Sequence, residues 1–124
     1  VKVRLDLRQE FVIAGWTPGE GNRQGEIGAL LVGYYDGPNL RFAGKVGTGF
    51  DSAESARLLH LLRPMKLDAS PFADRVPFRE ARFARPEVVA EVKFTQWTPD
   101  GKLRHPSYQG RRSDKDPLTV TRET

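Results

Sequence analysis

Glu10-Phe11-Val12-Ile13-Ala14-Gly15-Trp16-Thr17 is the stretch of the sequence that decides the fold. It is rich in β-branched and aromatic residues and ends at Pro18-Gly19, so it predicts a strand closed by a turn. Residues 27–35 predict a second strand and residues 40–46 a third, and Asp36-Gly37-Pro38 between them is typical of a hairpin with a short connection. We therefore expect three strands that are sequential neighbours.

One helix and two further strands follow. Asp51 with Glu54 three residues later is a variant of the capping box, and it opens a helix that ends at Pro64. Residues 66–82 predict an irregular connection packed by Phe72 and Phe78. Alternation over residues 88–97 predicts a fourth strand, residues 98–102 a turn, and a fifth strand starts near Leu103. Residues 118–121 are a candidate for a final short strand.

This order of elements defines the expected fold class. Three strands, one helix and two strands is the order of the OB-fold, so we expect a mainly β chain with a five-stranded OB-fold barrel and one helix between strands 3 and 4. Other small barrels share the pattern and remain alternatives. The OB-fold is often used to hold nucleic acid.

Length and composition exclude several classes of protein. At 124 residues the chain is about one domain, and 29% charged with 38% hydrophobic residues indicates a folded, basic domain rather than a disordered one. The absence of cysteine excludes disulfides and thiol catalysis, and two histidines make a histidine metal site improbable. No apolar run approaches the length of a membrane span. We expect a cytoplasmic protein, and the missing initiator Met suggests an excised domain.

A basic cluster lies near the end of the chain. Five Lys and Arg residues face a single acidic residue, Asp114, and together they account for the whole net charge of +4; the five are Lys102, Arg104, Arg111, Arg112 and Lys115. Guanidinium groups bind phosphate oxygens bidentately, so the cluster suits a polyphosphate or a nucleic-acid backbone. A solvated basic tail is the alternative.

A glycine turn, residues 44–50, separates the third strand from the helix. Its three glycines would let the backbone approach a phosphate closely, with the helix N-terminus nearby, but the Gly-Lys-Ser/Thr ending of a triphosphate-binding loop is missing. A tight strand-to-helix turn is the simpler interpretation. Four aromatic residues in the predicted strands could stack on bases, although packing explains them better; they are Trp16, Trp97, Tyr34 and Tyr35.

Several stretches in a fixed order carry a family resemblance. The stretches are residues 9–17, the glycine turn, residues 86–98, residues 100–108, and Arg112-Ser113-Asp114-Lys115. The sequence resembles the C-terminal OB-fold domain of ATP-dependent DNA ligases, most closely the ligase module of the bacterial non-homologous end-joining enzyme. Lys2 and Arg4 match the two basic positions of motif V, the last motif of the adenylation domain, and the last stretch matches the end of motif VI.

The resemblance implies a division of the chain and roles for its residues. Residues 1–8 would be the end of motif V and a hinge near Gln9, and residues 9–124 the OB-fold domain with motif VI. The catalytic residues would be Arg112, Asp114 and Lys115, the cofactor-binding residues Lys2, Arg4 and Arg104, and the DNA-binding residues Lys45, Thr48, Gly49 and Phe50. Asp114 would orient its neighbours, and no metal-binding residue is expected.

The resemblance also implies partners. The whole ligase would use ATP and Mg²⁺, whereas this fragment lacks the nucleophilic lysine, should be inactive alone and is expected to hold neither. The domain would close over ATP, then swing to nicked duplex DNA in repair, with the adenylation domain of the same polypeptide as its partner. We expect a nucleoid-associated bacterial monomer. A stand-alone nucleic-acid-binding OB module, or the OB domain of an RNA ligase or capping enzyme, is the alternative.

Overall fold

The structure, a computed structural model, describes residues 6–19 and 26–122. Its elements are β1 (Leu7–Pro18), β2 (Ile27–Asp36), β3 (Asn39–Val46), α1 (Ser52–Leu62), β4 (Lys66–Leu67), β5 (Arg82–Phe94), β6 (Gln96–Trp97), β7 (Leu103–Arg104) and β8 (Ser107–Arg111), with short 3₁₀ helices at Arg63–Met65 and Pro117–Thr119. The expected mainly β chain with one helix is confirmed. No helix within these ranges is long and apolar enough to cross a membrane.

The long strands form one antiparallel sheet that closes on itself. The order is β3-β2-β1-β5, and β8 pairs with the free side of β5, next to short β4. The two outer edges meet where the Tyr108 N–H donates to the carbonyl of Thr48 at 2.9 Å. The Thr48 hydroxyl donates to the Pro106 carbonyl at 3.3 Å at the same point. The five-stranded OB-type barrel is therefore confirmed.

Strand β1 is buried on both faces, which explains its unbroken apolar run. Phe11 and Ile13 face the barrel interior, whereas Val12 and Ala14 belong to a second, outer core. The connection between β4 and β5 covers that outer core, and Phe72 lies edge-on to Phe42 with ring centroids 5.2 Å apart. Residues 68–81 form the predicted irregular connection packed by Phe72 and Phe78, whereas the two ends of the predicted range, Lys66–Leu67 and Arg82, belong to strands β4 and β5.

The helix begins and ends as its sequence predicts. The Asp51 side chain caps its N-terminus by accepting from the Glu54 N–H at 2.8 Å. Its apolar face is buried against the barrel interior through Leu58 and Leu62. Pro64 lies in the 3₁₀ turn that follows the helix, where the missing proline N–H costs nothing.

The fourth long strand begins earlier than predicted, at Arg82 rather than Val88, and passes through Pro86. The pairing with β1 shifts between Ile13, opposite Val88, and Gly15, opposite Phe83, so an irregularity in the ladder accommodates Pro86. Proline is found at such irregularities because it cannot donate to a ladder. The strand ends at Phe94, and Trp97 lies in the separate β6–β7 hairpin.

The last segment differs from the predicted strand over residues 118–121. Pro117–Thr119 is a 3₁₀ turn. Its first free N–H, that of Leu118, donates to the Asp116 side chain. After it, the chain is attached to the barrel at two points: the Tyr35 N–H donates to the Val120 carbonyl at 2.8 Å, and the buried Gln9 amide donates to the Thr121 carbonyl at 2.8 Å.

Candidate functional site

The motif VI arginine directly follows β8. The Arg112 backbone N–H donates to the Val89 carbonyl at 2.7 Å and thereby fixes the backbone beside β5. Its guanidinium forms a bidentate pair with Asp114, with Nε–Oδ1 at 3.1 Å and Nη2–Oδ2 at 3.0 Å. The Asp114 side chain is 70% exposed and that of Arg112 40% exposed, so both remain accessible from solvent.

Two further carboxylates lie under the same cations. Glu10 on β1 and Glu91 on β5 are direct partners across the two strands. Arg112 Nη1 is 3.5 Å from Glu91 Oε1 and 3.9 Å from Glu10 Oε2. Lys115 Nζ lies 3.8 Å from Glu10 Oε1, and Arg8 Nη1 lies 3.0 Å from Glu91 Oε2. These three cations and three carboxylates form a balanced group, the ion-pair cluster.

Within the ion-pair cluster, Arg112 and Asp114 each stabilise the charged form of the other. The hydrogen bond and charge of Asp114 raise the pKa of Arg112 above its usual value, with further contributions from Glu10 and Glu91. The hydrogen bond from Arg112 holds the pKa of Asp114 below its usual value, helped by a bond to its own backbone and by the charge of Lys115. Both shifts favour the charged forms of Arg112 and Asp114.

A cavity of about 290 Å³ opens beside motif VI. Leu61 and Met65 give it an apolar side. Its lining also includes three cations, Arg111, Arg112 and Lys115, and one acid, Glu87. The excess of positive charge suits a phosphate-bearing ligand.

The side chains of the site do not suit the binding of a magnesium ion. No three His, Asp or Glu side chains converge as a metal site in the described part of the chain. Both carboxylate oxygens of Asp114 already accept from Arg112. Magnesium requires several free oxygen ligands, and the residues of this site do not offer them.

The glycine turn lies on β8 rather than standing free. Gly49 has a φ of 95°, and a Cβ added there would lie 2.2 Å from the Tyr108 carbonyl oxygen, so only glycine fits. Phe50 is half-buried and lies edge-on to Tyr108 at 5.8 Å. Thr48 and Gly49 are exposed. The turn thus has a structural role, in agreement with the simpler interpretation of the sequence as a tight strand-to-helix turn.

Tyr108 also connects β8 to the helix. Its buried hydroxyl donates to Glu54 Oε2 at 2.5 Å. Burial raises the pKa of Tyr108, and the same hydrogen bond lowers the pKa of Glu54, which Arg57 lowers further. This bond joins the strand that leads into motif VI to the first turn of α1.

The basic cluster of the sequence is divided in space. Lys102 lies 5.7 Å from the Phe42 ring centroid and 3.9 Å from Asp74, beside β3. Arg112 and Lys115 instead lie over β1 and β5, where they contact Glu10 and Glu91. Arg104 is exposed in β7.

The remaining predicted site residues are also separated. Lys45 is exposed on β3 with its Nζ 4.7 Å from the Phe78 ring centroid, which places it beside the outer core rather than beside Tyr108. Lys2 and Arg4 lie outside the described residues.

Packing explains the aromatic residues that were weighed as base-stacking groups. Trp16 is 6% exposed. Trp97 lies edge-on to Tyr34 at 5.5 Å and to Phe11 at 5.8 Å. Tyr35 packs against the outer core.

Glu10, Glu91 and Arg8 were not predicted from the sequence. An acidic residue at the start of the apolar run was the available signal for Glu10. No local pattern could show that Glu91 lies opposite it.

Comparison with known proteins identifies the family. Residues 23–115 match the family model described as the ATP dependent DNA ligase C terminal region. The chain belongs to this family. It is 46% identical over 118 residues to the multifunctional non-homologous end joining DNA repair protein LigD of Mycobacterium tuberculosis, a match that covers 93% of the chain and 16% of that protein. The chain thus spans only a small part of the curated relatives it matches.

Solved structures agree with this result. The crystal structure of the ligase domain of M. tuberculosis LigD matches with a TM-score of 0.88 and 43% identity over 95% of this chain and 39% of that one. A mycobacterial DNA ligase D complexed with ATP and MES matches with a TM-score of 0.83 and 41% identity over 94% of this chain and 38% of that one. Both confirm the OB-type fold of the ligase C-terminal domain.

Proposed function

We propose that this chain is the mobile OB domain of an end-joining DNA ligase, which closes over ATP during lysine adenylation and later binds nicked duplex DNA. The observation that carries the proposal is the accessible Arg112 and Lys115 beside a cavity whose lining includes three cations and one acid. Family membership and the ATP complex of a similar ligase support it. In the same proposal the protein acts as a monomer in the bacterial cytoplasm, associated with the nucleoid.

In the adenylation step the chain supplies charge and geometry. Arg112 and Lys115 contact the β- and γ-phosphates and hold the departing pyrophosphate in line, so their contribution is positioning and charge stabilisation. The adenylation domain supplies the nucleophilic lysine and the carboxylates for Mg²⁺. Lys2 and Arg4 of motif V and Arg104 contact the nucleotide in this proposal.

In this proposal Asp114 orients Arg112 and is not a metal ligand. Its bidentate pair fixes the plane of the Arg112 guanidinium, and its own exposure lets a phosphate replace it. A guanidinium presents parallel donors that match phosphate as well as carboxylate, so the exchange preserves the geometry of the arginine.

For nick sealing, a different surface faces DNA. Lys45, Thr48, Gly49 and Phe50 lie against the minor groove in this proposal, and the exposed backbone of Thr48 and Gly49 permits a close approach. The proposed hinge lies near Gln9, after the end of motif V in residues 1–8. Within the described residues, Leu7 and Arg8 pair with β5.

Self-adenylation of the ligase that carries this chain tests the proposal. Arg112→Ala and Lys115→Ala should each slow adenylate formation about 100-fold or more, as expected when a preorganised charge is removed from a transition state. Lys102→Ala is the matched control, because Lys102 belongs to the same basic stretch but lies beside β3. An unchanged rate in Arg112→Ala would contradict the proposal.

Substrate assays separate the alternatives. Sealing of nicked DNA but not nicked RNA supports a DNA ligase over an RNA ligase or capping enzyme. Binding to nicked DNA should weaken steeply with salt, and Lys45→Ala should reduce the log–log slope by about one. Binding that is unaffected by salt would exclude this electrostatic mode of DNA contact.

A further inference from the structure

Glu10 and Glu91 form an unusual pair in the centre of the sheet. They are direct neighbours across β1 and β5, and like charges in this position destabilise a sheet. Glu10 lies on the same face of β1 as Val12, which belongs to the outer core, so the pair is on the outer surface of the barrel. The repulsion is offset by the cations that lie over the pair.

Those cations include both functional residues of motif VI. Arg112 reaches Glu91 and Glu10 with Nη1, and Lys115 reaches Glu10. Arg8 pairs with the other oxygen of Glu91. The two glutamates therefore contact the cations from the sheet, and neither of them lines the cavity beside motif VI.

We propose that Glu10 and Glu91 are positioning residues that hold Arg112 and Lys115 in place for the triphosphate before the domain closes. This inference rests on the proposed function of motif VI. It assigns a role to two strand residues that lie outside motif VI in the sequence.

The three carboxylates around Arg112 differ in how firmly they are held. Glu10 and Glu91 are 23% and 22% exposed and lie on paired strands, whereas Asp114 is 70% exposed and lies beyond the end of β8. Asp114 accepts from the Nε and Nη2 edge of Arg112, and the glutamates face Nη1. A phosphate can therefore displace Asp114 from the Nε and Nη2 edge while Nη1 stays anchored to the sheet.

The same geometry applies to Lys115. Its Nζ has three donors and lies 3.8 Å from Glu10 Oε1. The ammonium group can bind a phosphate and keep its contact with Glu10. Both cations would then act from a fixed position, which is what charge stabilisation in a transition state requires.

The test uses the intact ligase with Glu10→Gln, Glu91→Gln and the double variant. Glutamine keeps the size of the side chain and removes the charge. At saturating ATP, the maximal rate of self-adenylation should fall about tenfold in the double variant, with a smaller change in KM for ATP, since misplaced catalytic groups lower the rate of the chemical step. Asp36→Asn, which removes another carboxylate paired to an arginine, Arg41 at 3.6 Å, is the matched control.

Two further measurements separate positioning from a structural role. The variants should seal a nick that is already adenylated at the normal rate, and their melting temperatures should stay close to that of the wild type. Equal loss of both steps, or a large fall in melting temperature for both single variants, would show a structural role and overturn the inference.

Faster self-adenylation in the glutamine variants would also overturn the inference, because it would mean that the two carboxylates compete with ATP and slow the wild-type reaction. An unchanged rate would overturn it as well. Arg112→Ala distinguishes this failure from failure of the proposed function. If Arg112→Ala is impaired while the glutamine variants are normal, motif VI keeps its role and only the inference about Glu10 and Glu91 fails.

Discussion

The ion-pair cluster and the glycine turn are held in opposite ways. Side-chain charges hold Arg112 and Lys115, at distances from 3.0 to 3.9 Å and with considerable exposure. Backbone contacts hold the glycine turn, where Thr48 and Gly49 lie directly on Tyr108. Exposed ion pairs contribute little to stability and exchange partners easily, whereas a backbone in van der Waals contact with another strand cannot move without breaking the barrel.

The difference separates two kinds of functional surface. In the proposed function, the ion-pair cluster releases Asp114 and accepts a phosphate without any change in the fold. The glycine turn presents an unchanging shape. Substitutions in the turn should therefore affect stability first, and substitutions in the ion-pair cluster should affect activity first.

Gly49→Ala should have the largest effect on stability. The added Cβ would meet the Tyr108 carbonyl and N–H at 2.2 and 2.6 Å, and the φ of 95° is strained for alanine. We expect a loss of about 3 kcal/mol or more in the free energy of unfolding, measured with urea.

Gly37→Ala is its control, because Gly37 also has a positive φ, of 62°, but has nothing within 4 Å of an added Cβ. It should cost about 1 kcal/mol, the backbone cost alone. Equal effects of the two substitutions would show that the contact of Gly49 with β8 is unimportant.

Tyr108→Phe should have the next largest effect. It removes the hydrogen bond between β8 and α1 and leaves Glu54 without this donor. We expect a loss of about 1–2 kcal/mol in the free energy of unfolding, since the bond is to a charged group. Glu54→Gln, which retains an acceptor, should cost less; a larger cost would mean that the charge of Glu54 matters more than the bond.

The contribution of Glu54 should depend on pH. The bond from Tyr108 holds the folded-state pKa of Glu54 below its ordinary value of 4.5. Its contribution is therefore fully present above pH 4.5 and is lost as the pH falls through the folded pKa. The difference in unfolding free energy between wild type and Glu54→Gln, measured from about pH 6 to pH 3, should shrink below about pH 4.5. A constant difference would contradict the shift.

Arg112→Ala should have the smallest effect on stability, less than about 1 kcal/mol, because its partners are exposed or only half-buried. The same substitution is expected to have the largest effect on self-adenylation. If chemical denaturation shows that Arg112→Ala lowers the free energy of unfolding as much as Gly49→Ala does, the contrast between the ion-pair cluster and the glycine turn is wrong.

Local sequence patterns were enough for much of the fold. The capping pair Asp51 and Glu54, the β2–β3 turn and the apolar run of β1 each act over a few residues, and each was predicted in place. The early start of β5 was missed because the irregularity that accommodates Pro86 exists only through its pairing with β1.

Long-range pairing explains what was missed at the site. Motif VI was visible because its residues are consecutive, but Glu10 and Glu91 come together only through the register of β1 and β5. Charges adjacent in sequence were predicted as one cluster, although the β6–β7 hairpin directs Lys102 towards β3 and leaves Arg112 beside β5.

The attachments of the last described segment have a consequence for how the domain can move. Motif VI lies between β8 and the residues Val120 and Thr121, which are bonded to Tyr35 and Gln9. A loop anchored on both flanks has no freedom to reach out alone like a flap. In the proposed closure over ATP, Arg112 and Lys115 would therefore approach the nucleotide only together with the whole barrel, and the hinge rather than the loop would set the distance covered.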